Sequence, residues 1–281
     1  MPVRVLTRLG GMLAATHPVP AASVTALVSL VVAARGAGAS TVAWVVASAA
    51  AGQASVGWSN DYLDRVEDAR VRRREKPLVA GTVSPPTLAR AAPVAFAASV
   101  TLSVPLGVPE ALVMGAAVAS AWTYNLWLKR TAASWVPYAV SFGLVPLYAW
   151  VVTDAVPPPW LVLVGAWLGV SAHLTNVLPD LEADRALGRR GLPHRLGVQA
   201  SLASACVLLV AALAVALAGS GAWRDATTGI SLAAAAAVLL IAAVFVSVRR
   251  GYARAGFYLT IVAAAAIVAV VLLSLRLASP L

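Results

Sequence analysis

The sequence predicts an all-α membrane protein in which about nine transmembrane helices form a bundle. Hydrophobic residues make up 60% of the 281 residues and charged residues only 11%. The mean hydropathy is +0.85, and apolar runs of about 18 residues or more recur along the whole chain. A soluble domain of this length needs a more polar surface. In a bilayer such runs form helices, because a helix pairs its backbone polar groups internally.

Short polar, Gly-containing or Pro-containing turns separate the predicted helices. Their approximate ranges are 18–35, 40–58, 86–105, 109–128, 133–152, 159–177, 198–218, 227–248 and 256–275. Arg4 and Arg8 precede the first range, and we interpret this stretch as leading into an uncleaved helix rather than as a signal peptide. The single cysteine, Cys206, lies in an apolar run and excludes a disulfide framework or a cysteine-based metal site.

The distribution of basic residues predicts the orientation of the bundle. With the N-terminus in the cytoplasm, 18 of the 21 Lys and Arg residues fall in cytoplasmic segments, and Arg35, Arg224 and Arg276 fall on the other side. Cytoplasmic loops of multi-pass proteins carry such an excess. The bias accounts for much of the net charge of +10 without a nucleic-acid partner. We therefore expect a multi-pass protein of the cell membrane with a cytoplasmic N-terminus.

The acidic residues are concentrated in two segments that repeat one pattern. Eight of the eleven Asp and Glu residues lie in segments 60–81 and 176–197, which align without gaps. Identical residues 116 positions apart are Asn60 and Asn176, Asp64 and Asp180, Asp68 and Asp184, Arg73 and Arg189, Arg74 and Arg190, Pro77 and Pro193, and Gly81 and Gly197. These identities predict an internal duplication within one domain over 1–281, with repeat-like halves of about 18–152 and 159–275. Membrane folds built from repeats commonly place their site where the repeats meet.

The spacing of the acids predicts a site for a hard cation at the cytoplasmic side. Residues four apart on an α-helix drift by only about 40°, so the acids of each segment are expected to share one helical face. The residues concerned are Asn60, Asp61, Asp64 and Asp68 in the first segment and Asn176, Asp180 and Asp184 in the second. Like charges at this spacing repel unless a cation neutralises them. Oxygen ligands without paired His or Cys suit Mg²⁺, which can bridge carboxylates to a diphosphate.

The motifs NDYLDRVED and NVLPDLEAD resemble those of the UbiA superfamily of intramembrane prenyltransferases. That family has an NDxxDxxxD motif, which residues 60–68 match completely. Its second Asp-rich motif follows the sixth helix and is matched at Asp180 and Asp184, while Asn176 stands where many members carry Asp. The segment YNLWLKRT at 124–131 is similar to the family's Tyr/Lys segment. The resemblance implies nine helices around a central cavity, capped by two cytoplasmic Asp-rich loops.

The resemblance also implies a role for each candidate residue. Mg²⁺ would be the cofactor, bound by Asp61, Asp64, Asp68, Asp180 and Asp184. The diphosphate would be contacted by Asn60, Arg73, Arg74, Lys76, Lys129 and Asn176. The catalytic set would be Asp64, Asp68, Asp180, Asp184, Tyr124 and Lys129. Tyr124 is the candidate aromatic face beside an allylic cation, and Trp58, Tyr62 and Trp122 lie near the same helix ends, where interfacial aromatic residues are common.

The function implied is Mg²⁺-dependent transfer of a prenyl group from a prenyl diphosphate to a lipophilic acceptor through an allylic carbocation. An aromatic acceptor is our expectation, and a polar lipid precursor or a tetrapyrrole alcohol would use the same machinery. Ionisation requires a neutralised leaving group and a site shielded from water. Two other functions stay open, namely a UbiA-type terpene cyclase and, from a different class, a secondary transporter. The expected partners are a prenyl diphosphate, the acceptor and membrane lipids, with no nucleic acid.

The three histidines add no separate chemistry to this interpretation. His17, His173 and His194 form no triad and no zinc motif. His173 lies three residues before Asn176 on the same predicted helix, where it either lines the cavity or packs as a hydrogen-bonded core residue. His194 follows Pro193 in the second segment and is expected to be solvated.

Overall fold

The structure, a computed structural model, describes residues 2–221 and 253–277, and the regular structure within these ranges is helical. In chain order, α1 to α10 are Pro2–Ala14, Pro18–Ala34, Ala39–Arg70, Pro85–Thr101, Val108–Leu126, Val136–Val151, Pro159–Asn176, Leu181–Ala186, Leu192–Ser220 and Ala253–Leu277. Two short 3₁₀ helices are Leu128–Arg130 and Leu178–Asp180. Eight of the nine predicted helices therefore have a counterpart. The predicted helix at 227–248 lies outside the described residues.

Helix α1 precedes the first predicted span and was not expected. Thr7–Ala14 and Pro18–Ala34 are together long and apolar enough to cross a membrane, but they are bent by 64° at the break between them. Pro18 restricts the residue before it, and His17 takes a left-handed conformation with φ of 55°. Leu9 and Leu13 on α1 are exposed. The chain thus changes direction sharply at His17 instead of continuing one helix.

Among the helices of the described ranges, Pro159–Ala186 and Leu192–Ser220 are each long and apolar enough to cross a membrane. Helix α6 and the segment Thr260–Leu272 of α10 are shorter apolar helices. Helix α3 is 32 residues long and more polar, because serines and the first acidic segment lie along it. These features agree with a membrane bundle whose helices include polar and interrupted stretches.

The chain divides into two compact units. The first consists of Met1–Trp127 and Tyr148–Ala155, and the second of Leu128–Leu147 and Val156–Leu281. In the first unit α3 packs against α2, α4 and α5. In the second unit α7 packs against α9 and α10, and the short α8 packs against α9. The first acidic segment therefore belongs to the first unit and the second acidic segment to the second.

Small and hydroxyl-bearing residues allow the helices of the first unit to approach closely. The Ser55 hydroxyl on α3 donates to the carbonyl of Ala92 on α4 at 2.8 Å and accepts from Trp122 Nε1 on α5 at 3.0 Å. The ring of Trp122 lies 5.8 Å from that of Phe96 on α4. Such small residues and interhelical hydrogen bonds hold helices together where lipid replaces water. Trp122, which the sequence placed near the site, thus has a packing role.

Gly57 lies close to the backbone of residues 15 and 16, and we expect its replacement to destabilise the first unit. A Cβ atom at residue 57 would lie 2.6 Å from the carbonyl oxygen of Ala15 and 2.7 Å from Cα of Thr16. Because backbone atoms must then move, Gly57→Ala should cost about 1–3 kcal/mol, measured as a lower thermal unfolding midpoint in detergent. Gly10→Ala on α1 is the matched control, since an added Cβ there meets nothing within 4 Å. Equal midpoints for the two variants would contradict this packing.

Candidate functional site

The first acidic cluster, which we define as Asn60, Asp61, Asp64 and Asp68, occupies the C-terminal turns of α3. The three carboxylates are only 2%, 4% and 2% exposed, in that order. Helix α3 continues without a break to Arg70, because residues 60–70 contain neither proline nor glycine. The predicted helical arrangement of this motif is therefore present, and its acids are much more buried than a solvated helix end would leave them.

Asn125 on α5 orients the first residue of the cluster. Its buried Nδ2 donates to the carbonyl of Val56 at 2.9 Å and to the hydroxyl of Ser59 at 2.8 Å. The amide oxygen of Asn125 is thereby directed to accept from Asn60 Nδ2 at 3.2 Å. Asn60 Nδ2 also approaches Asp64 Oδ2 at 3.5 Å. No role for Asn125 was predicted from the sequence, although a polar side chain within an apolar helix indicates a buried partner.

Asp61 is bound to two basic side chains. Its Oδ1 accepts from Lys76 Nζ at 2.7 Å and lies 3.0 Å from His17 Nε2, while its buried Oδ2 has no hydrogen-bond partner among the described residues. Burial alone would raise the pKa of Asp61, but the hydrogen bonds and charges of His17 and Lys76 outweigh it and hold the pKa below its usual range. The predicted metal ligand Asp61 and the predicted diphosphate ligand Lys76 thus bind one another here.

We expect substitutions at Asp61 and Lys76 to have strongly non-additive effects on the free energy of unfolding. Lys76→Met would leave a nearly buried carboxylate with His17 as its remaining basic neighbour, which should cost about 3–5 kcal/mol of unfolding free energy. The double variant Asp61→Asn/Lys76→Met removes both charges and should regain most of that loss. Thermal unfolding midpoints of the wild type, both single variants and the double variant measure the coupling. Strictly additive effects would contradict the ion pair.

The last Asp of each acidic segment forms an ion pair with the arginine five residues later. Asp68 Oδ1 lies 3.4 Å from Arg73 Nη1, and Asp184 Oδ1 lies 3.0 Å from Arg189 Nη1. The backbone repeats as well, because the N–H groups of Arg73 and Arg189 each donate to the carbonyl of the paired Asp at 3.0 Å. The repeated sequence therefore folds into a repeated local structure, once in each unit.

Left-handed backbone positions recur in the same alignment. Arg72 has φ of 55° and its counterpart Gly188 has φ of 76°, just after the helix ends at Arg70 and Ala186. Glycine suits this position after a helix, whereas another residue pays about 1–2 kcal/mol there. We expect Arg72→Gly to raise the unfolding midpoint and Gly188→Ala to lower it, each by an amount equivalent to about 0.5–1 kcal/mol. Shifts in the same direction would contradict the equivalence of the two turns.

The second acidic cluster, which we define as Asn176, Asp180 and Asp184, does not lie on one continuous helix. Helix α7 ends at Asn176, a 3₁₀ turn covers Leu178–Asp180, and α8 begins at Leu181. Pro179 has no N–H to donate and disfavours helical backbone in the residue before it. The prediction of a shared helical face for these three residues was therefore wrong. Asn176 and Asp180 are exposed, whereas Asp184 is buried.

Asp184 is held by basic groups from the segment that follows it. Besides Arg189, it approaches His194 Nε2 with Oδ2 at 3.4 Å. His194 is nearly buried, so the expectation that it is solvated was wrong. The carbonyl of His194 accepts from Arg185 Nη2 at 2.7 Å. A kink at Gly197 interrupts the helical backbone of α9 three residues after this carbonyl.

The start of α9 is fixed by a buried serine and histidine. The N–H of Leu192 donates to Ser134 Oγ at 2.8 Å, and the same oxygen lies 2.9 Å from His173 Nε2. Because Ser134 accepts from Leu192, its own proton can point to His173. Lys129 is also buried, and a Cβ atom at Gly191 would lie 2.7 Å from its carbonyl oxygen. His173 thus packs as a hydrogen-bonded core residue, and Lys129 adjoins the second acidic segment.

The remaining predicted residues differ in exposure. Tyr124 and Arg73 are half-buried, and Arg74 is exposed. Trp58 donates through Nε1 to the carbonyl of Met12 at 2.9 Å, and the guanidinium of Arg65 lies 4.2 Å from the ring centre of Tyr62. Trp58 and Tyr62 pack against a core cluster of Ala15, Val83 and Leu88. These two aromatic side chains therefore join α1 to α3, which leaves Tyr124 as the aromatic candidate for the site.

The electrostatics of the first acidic cluster favour a bound cation. Burial raises the pKa of Asp68, and the carboxylates of Asp64 and Asp61 raise it further against the charges of Lys76 and Arg73. A divalent cation would relieve the repulsion among these carboxylates. Over the described parts of the chain, no three His, Cys, Asp or Glu side chains converge to hold a metal ion by themselves. This donor set fits Mg²⁺, which takes one or two carboxylates and completes its shell with phosphate oxygens and water.

The sequence is similar to that of known proteins. The sequence matches the UbiA prenyltransferase family over residues 22–267. It is 31% identical over 206 residues to the 4-hydroxybenzoate octaprenyltransferase of Ralstonia nicotianae, a match that covers 72% of this chain and 65% of that protein's length.

Solved structures resemble the chain over nearly its whole length. The apo structure of a UbiA homolog from Aeropyrum pernix has a TM-score of 0.70 at 17% identity, covering 91% of this chain and 98% of that one. A UbiA homolog from Archaeoglobus fulgidus, solved with GPP and Mg²⁺, has a TM-score of 0.70 at 16% identity, covering 93% and 99%. At these identities the likeness shows the fold, a helical membrane bundle. The chain is therefore a multi-pass membrane protein that belongs to the UbiA prenyltransferase family.

Proposed function

We propose that the protein is a Mg²⁺-dependent prenyltransferase that moves a prenyl group from a prenyl diphosphate to an aromatic acceptor. The observation that supports this most strongly is the repeated acidic motif with a buried Asp–Arg pair in each copy. The relative from Ralstonia nicotianae is named for an aromatic acceptor. UbiA homologs from Archaeoglobus fulgidus bind GPP or DMAPP together with Mg²⁺. Residues 1–281 would then act as one prenyltransferase domain.

In each cluster the carboxylates would hold Mg²⁺. The proposed ligands are Asp64, Asp68, Asp180 and Asp184. When bound, Mg²⁺ supplies Lewis-acid neutralisation of the leaving diphosphate. Asp61 was also predicted as a ligand, but because its Oδ1 is occupied by Lys76 and His17, we assign it the role of positioning Lys76. Arg73 and Arg189 orient the last carboxylate of each cluster in the same way.

Basic and amide side chains would bind the diphosphate oxygens. The proposed contacts are Asn60, Arg73, Lys76, Lys129 and Asn176, with Arg74 reaching from its exposed position. Charge-assisted hydrogen bonds to a leaving group strengthen as negative charge develops on it, so these groups favour ionisation of the allylic C–O bond. Asn125 contributes by fixing the amide of Asn60. The ring of Tyr124 would stabilise the positive charge on the allylic fragment, and the apolar helices exclude water from it.

We further propose that the N-terminus and both acidic clusters face the cytoplasm. The excess of Lys and Arg in the segments on that side supports this orientation. A Cys206→Ser background carrying Glu75→Cys tests it, because residue 75 is exposed between the first cluster and α4. A membrane-impermeant thiol reagent should label this cysteine in inside-out vesicles and not in right-side-out vesicles. The opposite pattern would reverse the proposed topology.

The activity is tested by incubating purified protein with allylic diphosphates of increasing chain length, Mg²⁺ and a panel of aromatic acids. We expect release of inorganic diphosphate that depends on Mg²⁺, and the preferred chain length identifies the donor. Release that needs no acceptor and yields a cyclic hydrocarbon would instead make the protein a terpene cyclase using the same diphosphate site. Absence of release with every donor would contradict the proposed function.

A further inference from the structure

A cavity of about 420 Å³ opens within the second unit, next to the second acidic cluster. Its lining residues are Arg185, Gly188, Arg189, Arg190, His194 and Arg195. We call it the arginine cavity. All of these residues come from the segment that runs from the end of α8 to the first turn of α9. Four arginines therefore line one space of a size that small-molecule sites commonly have.

The internal repeat shows that the basic lining of this cavity is only partly shared by the first segment. Arg189 and Arg190 have counterparts in Arg73 and Arg74. The other three basic residues do not, because at the positions of Arg185, His194 and Arg195 the first segment carries Ala69, Leu78 and Val79. Gly188 lies where the first segment has Arg72, and an added Cβ there meets nothing within 4 Å. Three of the five basic residues that line the arginine cavity are therefore specific to the second segment.

Hydrogen bonds within the segment hold two of the arginines in place. Arg195 Nε donates to the carbonyl of Arg190 at 3.0 Å, and Arg185 Nη2 donates to the carbonyl of His194 at 2.7 Å. A guanidinium has five N–H donors, so each of these bonds fixes the group and leaves further donors for a ligand. Arg189 is fixed by Asp184 and forms the wall that the arginine cavity shares with the second acidic cluster.

The positive charge of the arginine cavity favours binding of an anion. Arginine does not deprotonate in proteins, so the four groups cannot relieve their mutual repulsion by losing protons. Asp184 neutralises one of them. The positive-inside bias accounts for basic residues in a cytoplasmic loop, but it does not require them to line a single cavity. Planar guanidinium groups match the paired oxygens of phosphate and carboxylate groups, and several converging groups favour a multiply charged phosphate.

We propose that the arginine cavity is a second anion site, which binds a phosphate or diphosphate group without Mg²⁺ and is separate from the acidic clusters. Two sources of this chemistry are available at a cytoplasmic membrane face, namely free inorganic diphosphate and the headgroup of an anionic phospholipid. The site goes beyond the proposed prenyl transfer and does not depend on it, since its ligand set contains no metal-binding carboxylate.

The first test measures binding of inorganic diphosphate to the purified full-length protein in detergent and EDTA by isothermal titration calorimetry. Arg190→Gln/Arg195→Gln should weaken binding by at least about tenfold, since both substitutions remove charged hydrogen-bond donors to the anion. Arg90→Gln, an exposed arginine on α4, is the matched control. The variant Asp64→Asn/Asp180→Asn should bind inorganic diphosphate with the affinity of the wild type. This result would show that the anion does not bind through the acidic clusters. The thermal unfolding midpoint of the double variant shows whether it remains folded. The single variant Arg195→Gln, measured in the same way, serves if the double variant does not fold.

The second test distinguishes the two sources. Protein is reconstituted in nanodiscs of phosphatidylcholine with or without phosphatidylglycerol, and retained phosphatidylglycerol is measured by native mass spectrometry after transfer to detergent. A phospholipid ligand predicts retention that is lost in Arg190→Gln/Arg195→Gln, whereas free diphosphate as the ligand predicts the calorimetric result without retention. The proposal is overturned if neither anion binds, or if a folded double variant binds both as tightly as the wild type does.

Discussion

Replacing Asp64 by Asn is expected to lower the rate of diphosphate release by about 10³-fold or more. A metal-bound carboxylate supports several kcal/mol of charge stabilisation in the transition state, and every 1.4 kcal/mol is about tenfold in rate. Asp180→Asn should have an effect of the same order, although Asp180 is exposed and Asp64 is nearly buried. Rates are measured at saturating donor with purified variants.

Asp154→Asn provides the matched control for both substitutions. Asp154 is exposed, lies after α6 and belongs to neither acidic cluster. Its left-handed φ of 53° suits asparagine as well as aspartate, so the chemical change is the same without a change at the site. Wild-type rates in both cluster variants, or an equal loss in Asp154→Asn, would contradict the assignment of the acidic clusters.

Removal of Mg²⁺ should abolish release to the background level while leaving the fold intact. Addition of Mg²⁺ should restore the rate, and Ca²⁺ should restore much less because it prefers longer bonds and more ligands than a Mg²⁺–diphosphate site offers. Asp61, Asp68 and Asp184 already have basic partners, so the unfolding midpoint in EDTA should change little without donor. Undiminished turnover in EDTA would show that the carboxylates do not act through a metal.

The helices and the repeated motif could be predicted from the sequence because both depend on local patterns. Apolar runs located the spans, but some helix ends were predicted less well. Helix α3 continues to Arg70, beyond the predicted end at 58, and α9 begins at Leu192, before the predicted start at 198. The bend at His17 was not predicted, although Pro18 indicates it. Basic residues before an apolar stretch suggested instead that the N-terminal segment continues directly into the first helix. Pro179 likewise signals the break after α7, but the gapless alignment with the unbroken α3 suggested one continuous face.

The contacts that hold the acids could not be predicted, because they join residues far apart in the chain. His17 meets Asp61 across 44 positions, and Asn60 meets Asn125 across 65. Periodicity within a helix gives the direction of a side chain but not the neighbour that it meets. The ion pairs Asp68–Arg73 and Asp184–Arg189 could have been predicted from the sequence, since the repeat preserves both the Asp and the Arg at the same spacing. Burial of these acids depends on packing within each unit.

The most direct test of prenyl transfer is the mass of the organic product formed from a deuterium-labelled prenyl diphosphate and an aromatic acid in the presence of Mg²⁺. The account predicts an acceptor whose mass increases by the labelled prenyl group less one hydrogen, formed in equal amount to inorganic diphosphate and absent with Asp64→Asn. An unmodified acceptor, with the label recovered in a hydrocarbon or in intact diphosphate, would contradict prenyl transfer to an aromatic acceptor.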